Sequence, residues 1–204
     1  MSREDARGIE MIHNNNVLLD VTKGIQGLHE TIELCKESFI EAMNKGPLAN
    51  EKCMGMKIKL VDAKLHDDSI HRGPAQVIPA MRNGIYGAMC QGNRILMEPI
   101  QKVFINVPMD LMGDALREIQ QRRGVIEDMQ QEGEMTIVHA KAPVAEMFGF
   151  ASAIRSATSG RALWNTENAG FEILPKDVQL KVVPEIRTRK GLKPEAYDAS
   201  YYGE

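Results

Sequence analysis

Cysteine is scarce in this 204-residue chain: Cys35, Cys53 and Cys90 are odd in number, far apart and set among apolar residues. That pattern suits reduced core thiols in a cytosol and argues against a disulfide framework. No apolar run approaches the roughly 18 residues needed to cross a bilayer. The start, MSREDARG, is charged and has no apolar h-region, so secretion is not expected and a cytoplasmic location is. No G-x-x-x-x-G-K-[ST] occurs, which removes a Walker-type phosphate cradle. Aromatics are few: one tryptophan stands against thirteen methionines, so the core is expected to be filled by aliphatics and adaptable thioethers. Nor is there an excess of positive charge. The formal net charge of -3 argues against wholesale polyanion binding, so any contact with nucleic acid must be local.

What is present is organised as alternating elements. Arg3 to Arg7 reads as a solvated start, Asn14 to Asn16 as a turn and Val17 to Val21 as a short buried strand. Ile25, Leu28, Ile32, Cys35, Phe39 and Met43 recur at steps of three and four, the signature of an amphipathic helix. Gly46 in a left-handed conformation, followed by Pro47, is expected to stop it. Met54 to Leu60 alternates apolar residues with Lys57 and Lys59, a half-buried strand. Those lysines, with Lys64, line either a route to a polyanion or a solvated sheet face; the latter is favoured. A second helix follows through Val77, Met81, Ile85 and Met89, with Pro79 in its first turn and Gly84 and Gly87 marking close backbone packing.

The pattern restarts after a hinge at Arg94 to Pro99. A strand through Val103, Ile105 and Val107 leads into a helix over about 111–121, closed by Arg122, Arg123 and an exit at Gly124. A hairpin turns around Gly133. Pro143 opens a helix through Phe150 and Ile154, and a last strand lies within 162–174. This β-α-β-β-α-β order is the split βαβ, ferredoxin-like arrangement. RNA-recognition modules share it but need aromatics on the central strands, which here offer Phe104 and little else. The domain is read as a packing unit. Beyond it, a helix interrupted at Pro184, a solvated basic run (Arg187 to Lys190) and a frayed, tyrosine-bearing end are expected.

Between the Lys57/Lys59 strand and the second helix lies Leu65 to Gln76, LHDDSIHRGPAQ. His66 and His71 have four residues between them; Asp67 and Asp68 follow the first, and Arg72, Gly73 and Pro74 the second. Three readings are open. A metal-dependent enzyme would draw ligands from His66, Asp67, Asp68 and His71, although no further cysteine or histidine nearby completes four ligands. A His-Asp acid–base pair would lack a visible nucleophile. A presented recognition tip, turned tightly by Gly73 and Pro74 with His71 and Arg72 projecting, is favoured, since arginine suits phosphate forks. A stand-alone RNA-binding module is a further alternative.

LHDDSIHRGPAQVIPAMR resembles the diphthamide loop of the archaeal and eukaryotic elongation factor 2 family. The likeness continues in order through KGPLA (45–49), LMEPI (96–100), RRG (122–124), EMFGF (146–150), IRS (154–156) and SGRA (159–162), covering nearly the whole chain. The GPAQ form, where the eukaryotic factors carry GGGQ, looks archaeal.

The resemblance implies an α+β chain of two domains. Residues 1–97 would be domain IV, ribosomal-protein-S5-like and truncated at its N-terminal side. Residues 98–174 would be domain V, ferredoxin-like, and 175–204 a helix and tail returning to domain IV. It implies a part of a GTPase without the GTPase's own catalytic domain: no catalytic or metal-binding residues and no cofactor here, with GTP and magnesium held by the missing G domain. His71 would be the residue converted to diphthamide. His71, Arg72 and Gly73 would form the RNA-contacting tip, with His66, Asp67 and Asp68 as support. The implied partners are the ribosome, including its rRNA and the codon–anticodon helix in the decoding region, the diphthamide biosynthesis enzymes, and ADP-ribosylating toxins once diphthamide is present. No membrane partner is implied, and a monomer is expected.

Overall fold

The computed structural model describes residues 2–203, apart from the side chain of Glu4. Met1 and Glu204, the ends of the charged start and of the tyrosine-bearing tail, lie outside the described residues. The chain divides into two compact units, one of 1–95 with 176–204 and the other of 96–175. Both are mixed α and β, in keeping with the α+β reading.

The first unit is built on a three-stranded sheet of order β1 (Ile9–His13), β2 (Asn16–Asp20), β3 (Lys57–Leu60). β1 and β2 form an antiparallel hairpin, and β2 and β3 run parallel, Val17 opposite Lys57. The β1 strand escaped the sequence reading, which took Asn14 to Asn16 as a turn without its first arm. Asn14 and Asn15 both adopt positive φ, 48° and 63°, the conformation a two-residue hairpin demands and asparagine tolerates. Asn16 is fully buried yet satisfied: its amide donates to the carbonyls of Asn14 and Cys53 and accepts from the Met56 N–H. That side chain seats the approach to β3, and the strand itself is shorter than the alternation from Met54 suggested.

Two helices cover the sheet, α2 (Leu28–Asn44) and α3 (Pro74–Gln91). Leu18, Phe39, Ala42, Met43 and Ile85 form the core, ringed by Met11, Met56, Met81 and Met89, the thioether-rich filling the composition implied. Gly46 does not end α2 in a left-handed turn. Lys45 is the C-cap at φ -141°, and Gly46 is confined by space, because a Cβ there would lie 2.8 Å from Cys53 Sγ and 3.2 Å from the Glu51 carbonyl. Pro79 falls at the sixth residue of α3, beyond its first turn, and Ser38 Oγ donates to the neighbouring Ile78 carbonyl. A Cβ on Gly84 would meet open space, so that glycine does not mark close packing.

The final helix, α6 (Lys176–Arg189), runs through Pro184 without a break. The basic run at its end is solvated only in part: Arg189 is exposed, but Arg187 and Lys190 are engaged. Arg187 is 2% exposed; its Nη1 donates to the Leu48 carbonyl at 2.9 Å and its Nε to the Lys193 carbonyl at 2.6 Å. Lys190 binds the carbonyls of Ala49 and Asn50 and the Glu51 carboxylate. The tail is ordered as well, with Tyr197 stacked on Tyr201 at 3.8 Å and Tyr202 edge-on to Tyr86. A reading by charge alone could not see that carbonyls distant in sequence would take up these cations.

The second unit is a four-stranded antiparallel sheet of order β5 (Val125–Glu132), β6 (Met135–Pro143), β4 (Met97–Pro108), β7 (Leu163–Ile173). Val103, Ile105, Val107, Val138, Ala140 and Ala142 face α4 (Met112–Gln120) and α5 (Phe150–Ala157). The supposed hinge at Arg94 to Pro99 is in part strand, since β4 begins at Met97 and pairs with Ile173. Pro143 closes β6; α5 starts at Phe150, after Gly149 at φ 78°. At the end of α4 it is Arg123, not Gly124, that takes positive φ (56°), while Gly124 is held by lack of room, a Cβ falling 2.7 Å from the Ile119 carbonyl.

The start of the chain is the clearest revision. Arg3 to Arg7 forms a short helix, α1, whose Asp5 is buried against the sheet and binds Lys59 Nζ at 2.6 Å and Lys57 Nζ at 3.4 Å. The two lysines are exposed, as a solvated sheet face requires, and their ammonium groups are paired with Asp5. Hydrogen bonding by Lys59, then Lys57, lowers the Asp5 pKa from 3.8 to about 2. A depressed carboxylate contributes stability that is complete above the unfolded pKa and lost as pH falls through the folded one. Asp5→Asn should therefore lower the urea midpoint at neutral pH, with the gap to the native chain closing between pH 4 and about 2. A gap that is constant over that range would contradict the pairing.

Candidate functional site

β3 ends at Leu60, and the chain then runs out over a polar loop to a single 3-10 turn, Ser69 to Arg72, that leads directly into α3. The turn is capped from its own sequence. Asp68 Oδ1 accepts from the Ile70 N–H at 3.0 Å, and the Asp68 carbonyl accepts from the His71 N–H at 3.1 Å. His66 Nδ1 accepts from the Asp68 N–H at 3.1 Å, leaving Nε2 to carry the proton in the neutral ring. Gly73 is the N-cap of α3 at φ -80° and Pro74 its first residue. The glycine-proline pair therefore starts a helix, a place where proline lacks nothing, and is not the tight turn read from the sequence.

The turn brings His66 and His71 together, edge to face, with ring centroids 4.6 Å apart. Both rings are exposed, and Ile70 beside them is 79% exposed. Asp67 is exposed too and makes no hydrogen bond or ion pair among the described residues, so of the two aspartates only Asp68 supports the loop. No group of three or more His, Cys, Asp or Glu among the described residues could hold a metal ion.

Arg72 does not project. Its side chain is only 15% exposed and folds back on the start of α2, Nη1 lying 3.3 Å from Glu30 Oε2. It lies against Gly27, the N-cap of α2 at φ 79°. Neither Gly27 nor Glu30 was singled out from the sequence. Their signal, a glycine and an acid at a helix start, is common to many helices and becomes specific only when Arg72 is seen against it.

Comparison with known proteins decides the family. The family model for Elongation factor G, domain IV, matches residues 1–93, and that for the Elongation factor G C-terminus matches residues 95–182. The chain is 64% identical over 202 residues to Elongation factor 2 of Thermoplasma volcanium, 57% over 195 to that of Archaeoglobus fulgidus and 54% over 195 to that of Methanopyrus kandleri. The chain belongs to the elongation factor 2 family. These matches take in 99%, 96% and 96% of this chain and 28%, 27% and 16% of the respective relatives.

Three of the motifs by which the sequence resembles elongation factor 2 meet at one residue of the second unit. Arg123, of RRG, donates from Nη1 and Nη2 to the two carboxylate oxygens of Glu98, of LMEPI, at 2.9 and 2.7 Å. Its Nε donates to Glu146, of EMFGF, at 2.9 Å. A bidentate fork of this kind fixes orientation as well as charge, so these motifs serve here to join β4 to the loops at the ends of α4 and β6.

Removing the cap tests how the tip is held. Asp68→Ala should cost about 1 kcal/mol locally and speed amide exchange of Ser69 to Arg72 on the order of fivefold, leaving exchange in α2 and α3 unaltered. Unchanged exchange in the turn would contradict the capping role.

Proposed function

We propose that this chain is the part of a GTP-dependent translocation factor that reaches the decoding region of the small ribosomal subunit, with His71 as the histidine converted to diphthamide. The observation that carries the reading is the exposed His71 ring, on a capped turn at the head of α3, within a stretch that matches the family's modified loop. GTP hydrolysis and magnesium binding belong, on this reading, to a domain outside this chain.

The charge of the tip explains why a permanent cation would be added there. Asp67 and Asp68 place two carboxylates directly before the turn, and Asp62 adds a third in the loop that leads to it. Lys64 opposes them, while Arg72 is already paired with Glu30. An RNA helix presents phosphates and 2′-hydroxyls across a wide, shallow minor groove, and an acidic tip approaches it unfavourably. Diphthamide supplies what is missing. A 3-amino-3-carboxypropyl group is built on the imidazole C2, its amine is trimethylated and its carboxylate amidated. The product carries a cation that no pH removes and an amide that donates and accepts.

Domain IV of such a factor would place this group against the codon–anticodon helix during movement of tRNA and mRNA, while domain V would contact the large subunit. ADP-ribosylating toxins that recognise diphthamide would add a bulky anion at the same point and block the approach by size and charge.

His71→Ala, introduced into the full-length factor, should leave folding and GTP binding intact and raise the frequency of frameshifting during translocation. Frameshifting at the wild-type level would contradict the assignment.

A further inference from the structure

We infer that Arg72 is a positioning residue for His71: seated in the notch left by Gly27 and paired with Glu30, it holds the turn in the form that the diphthamide-building enzymes accept. The inference rests on reading His71 as the acceptor.

Little else ties the tip down. A single 3-10 turn has poorer hydrogen-bond geometry than an α-helix and little stability of its own. The hydrogen bonds of His66, Asp68 and His71 close within the loop, and the His66–His71 ring contact does the same. Among the described residues of this turn, Arg72 alone ties it by its side chain to α2. Because Arg72 follows His71 directly, fixing its side chain fixes the backbone from which the imidazole leaves.

The seat is specific and strained at once. A Cβ on residue 27 would lie 1.9 Å from Arg72 Nη1 and 3.2 Å from Cζ. A side chain at this position therefore displaces the guanidinium, and φ at 79° disfavours one as well. The guanidinium also lies at the N-terminal end of α2, where the helix dipole disfavours a cation, and Glu30 in the first turn supplies the opposing charge. Arg72 Nε is enclosed and has no hydrogen-bond partner among the described residues. Fit into the Gly27 notch and one ion pair therefore hold this side chain, against a helix dipole and an unsatisfied N–H. Such a seat is kept for geometry more than for stability.

The test coexpresses the chain with the diphthamide-building enzymes and follows, by peptide mass spectrometry, the rate at which His71 gains the 3-amino-3-carboxypropyl group. Two variants unseat the guanidinium: Arg72→Met removes it, and Gly27→Ala evicts it while keeping its charge. The control is Arg82→Met, which breaks a second Arg–Glu pair made to α2, that of Arg82 in α3 with Glu41, also at 3.3 Å. Misplacement of a reacting group by about 1 Å can cost up to 100-fold. Both unseating variants should slow modification on the order of tenfold, with the thermal midpoint near that of Arg82→Met, which reacts at the wild-type rate. An enzyme that needed only the charge of Arg72 would modify Gly27→Ala as fast as wild type, and that result overturns the inference. If Gly27→Ala fails to fold, Arg72→Met decides, and a wild-type rate there also overturns it. No addition to the wild-type chain at all would instead count against His71 as the acceptor.

Discussion

The guanidinium of Arg187 closes the first unit. It enters from α6, after the whole of the second unit has been traversed in sequence, and binds carbonyls of the loop that follows α2. With Lys190 it takes up the carbonyls of Leu48, Ala49 and Asn50, groups that a short irregular loop would otherwise turn to water. Hydrogen bonds from a charged donor contribute about 1.5–3 kcal/mol each, so a three-stranded sheet with two helices gains much of its closure from this return. The second unit is suited to being an insertion: the Leu174 N–H donates to the Leu96 carbonyl, and Met97 pairs with Ile173, so its two ends lie side by side.

The same economy governs the tip. α2 and α3 pack through Phe39, Met43 and Ile85, and the start of each helix contributes to the turn that carries His71: Gly27 and Glu30 from one, Gly73 and Pro74 from the other. Local caps shape the turn, and one long side chain fastens it. What projects is imidazole and Ile70; what is drawn back is the arginine. The division makes chemical sense if the charge that meets RNA is to be a group added later, at a fixed place, rather than a flexible native cation.

Much of this could be read in the residues. Helical periodicity from Leu28 to Met43, the alternation of Val103, Ile105 and Val107, and the hairpin at Gly133 are signals of local geometry, and they hold in the structure because a single buried face governs each one. The errors have a common origin. Sequence alone makes Arg72 a projecting side chain and Arg187, Lys190 and Asp5 solvated ones, yet each is engaged by a group between 42 and 141 residues away. Long-range satisfaction of a polar group leaves no trace in composition or spacing. Glycines misled in a second way: Gly46 and Gly124 are required by neighbours that would meet a Cβ, not by positive φ, and the backbone of Lys45 and Arg123 carries the turn instead.

The central claim is that this fold exists, at its tip, to present His71 for modification. It is tested most directly by tandem mass spectrometry of the peptide spanning residues 65–82 from the protein purified from archaeal cells. The account predicts the complete trimethylated, amidated adduct on His71 and an unmodified His66. An unmodified His71, or the adduct on His66, would contradict it.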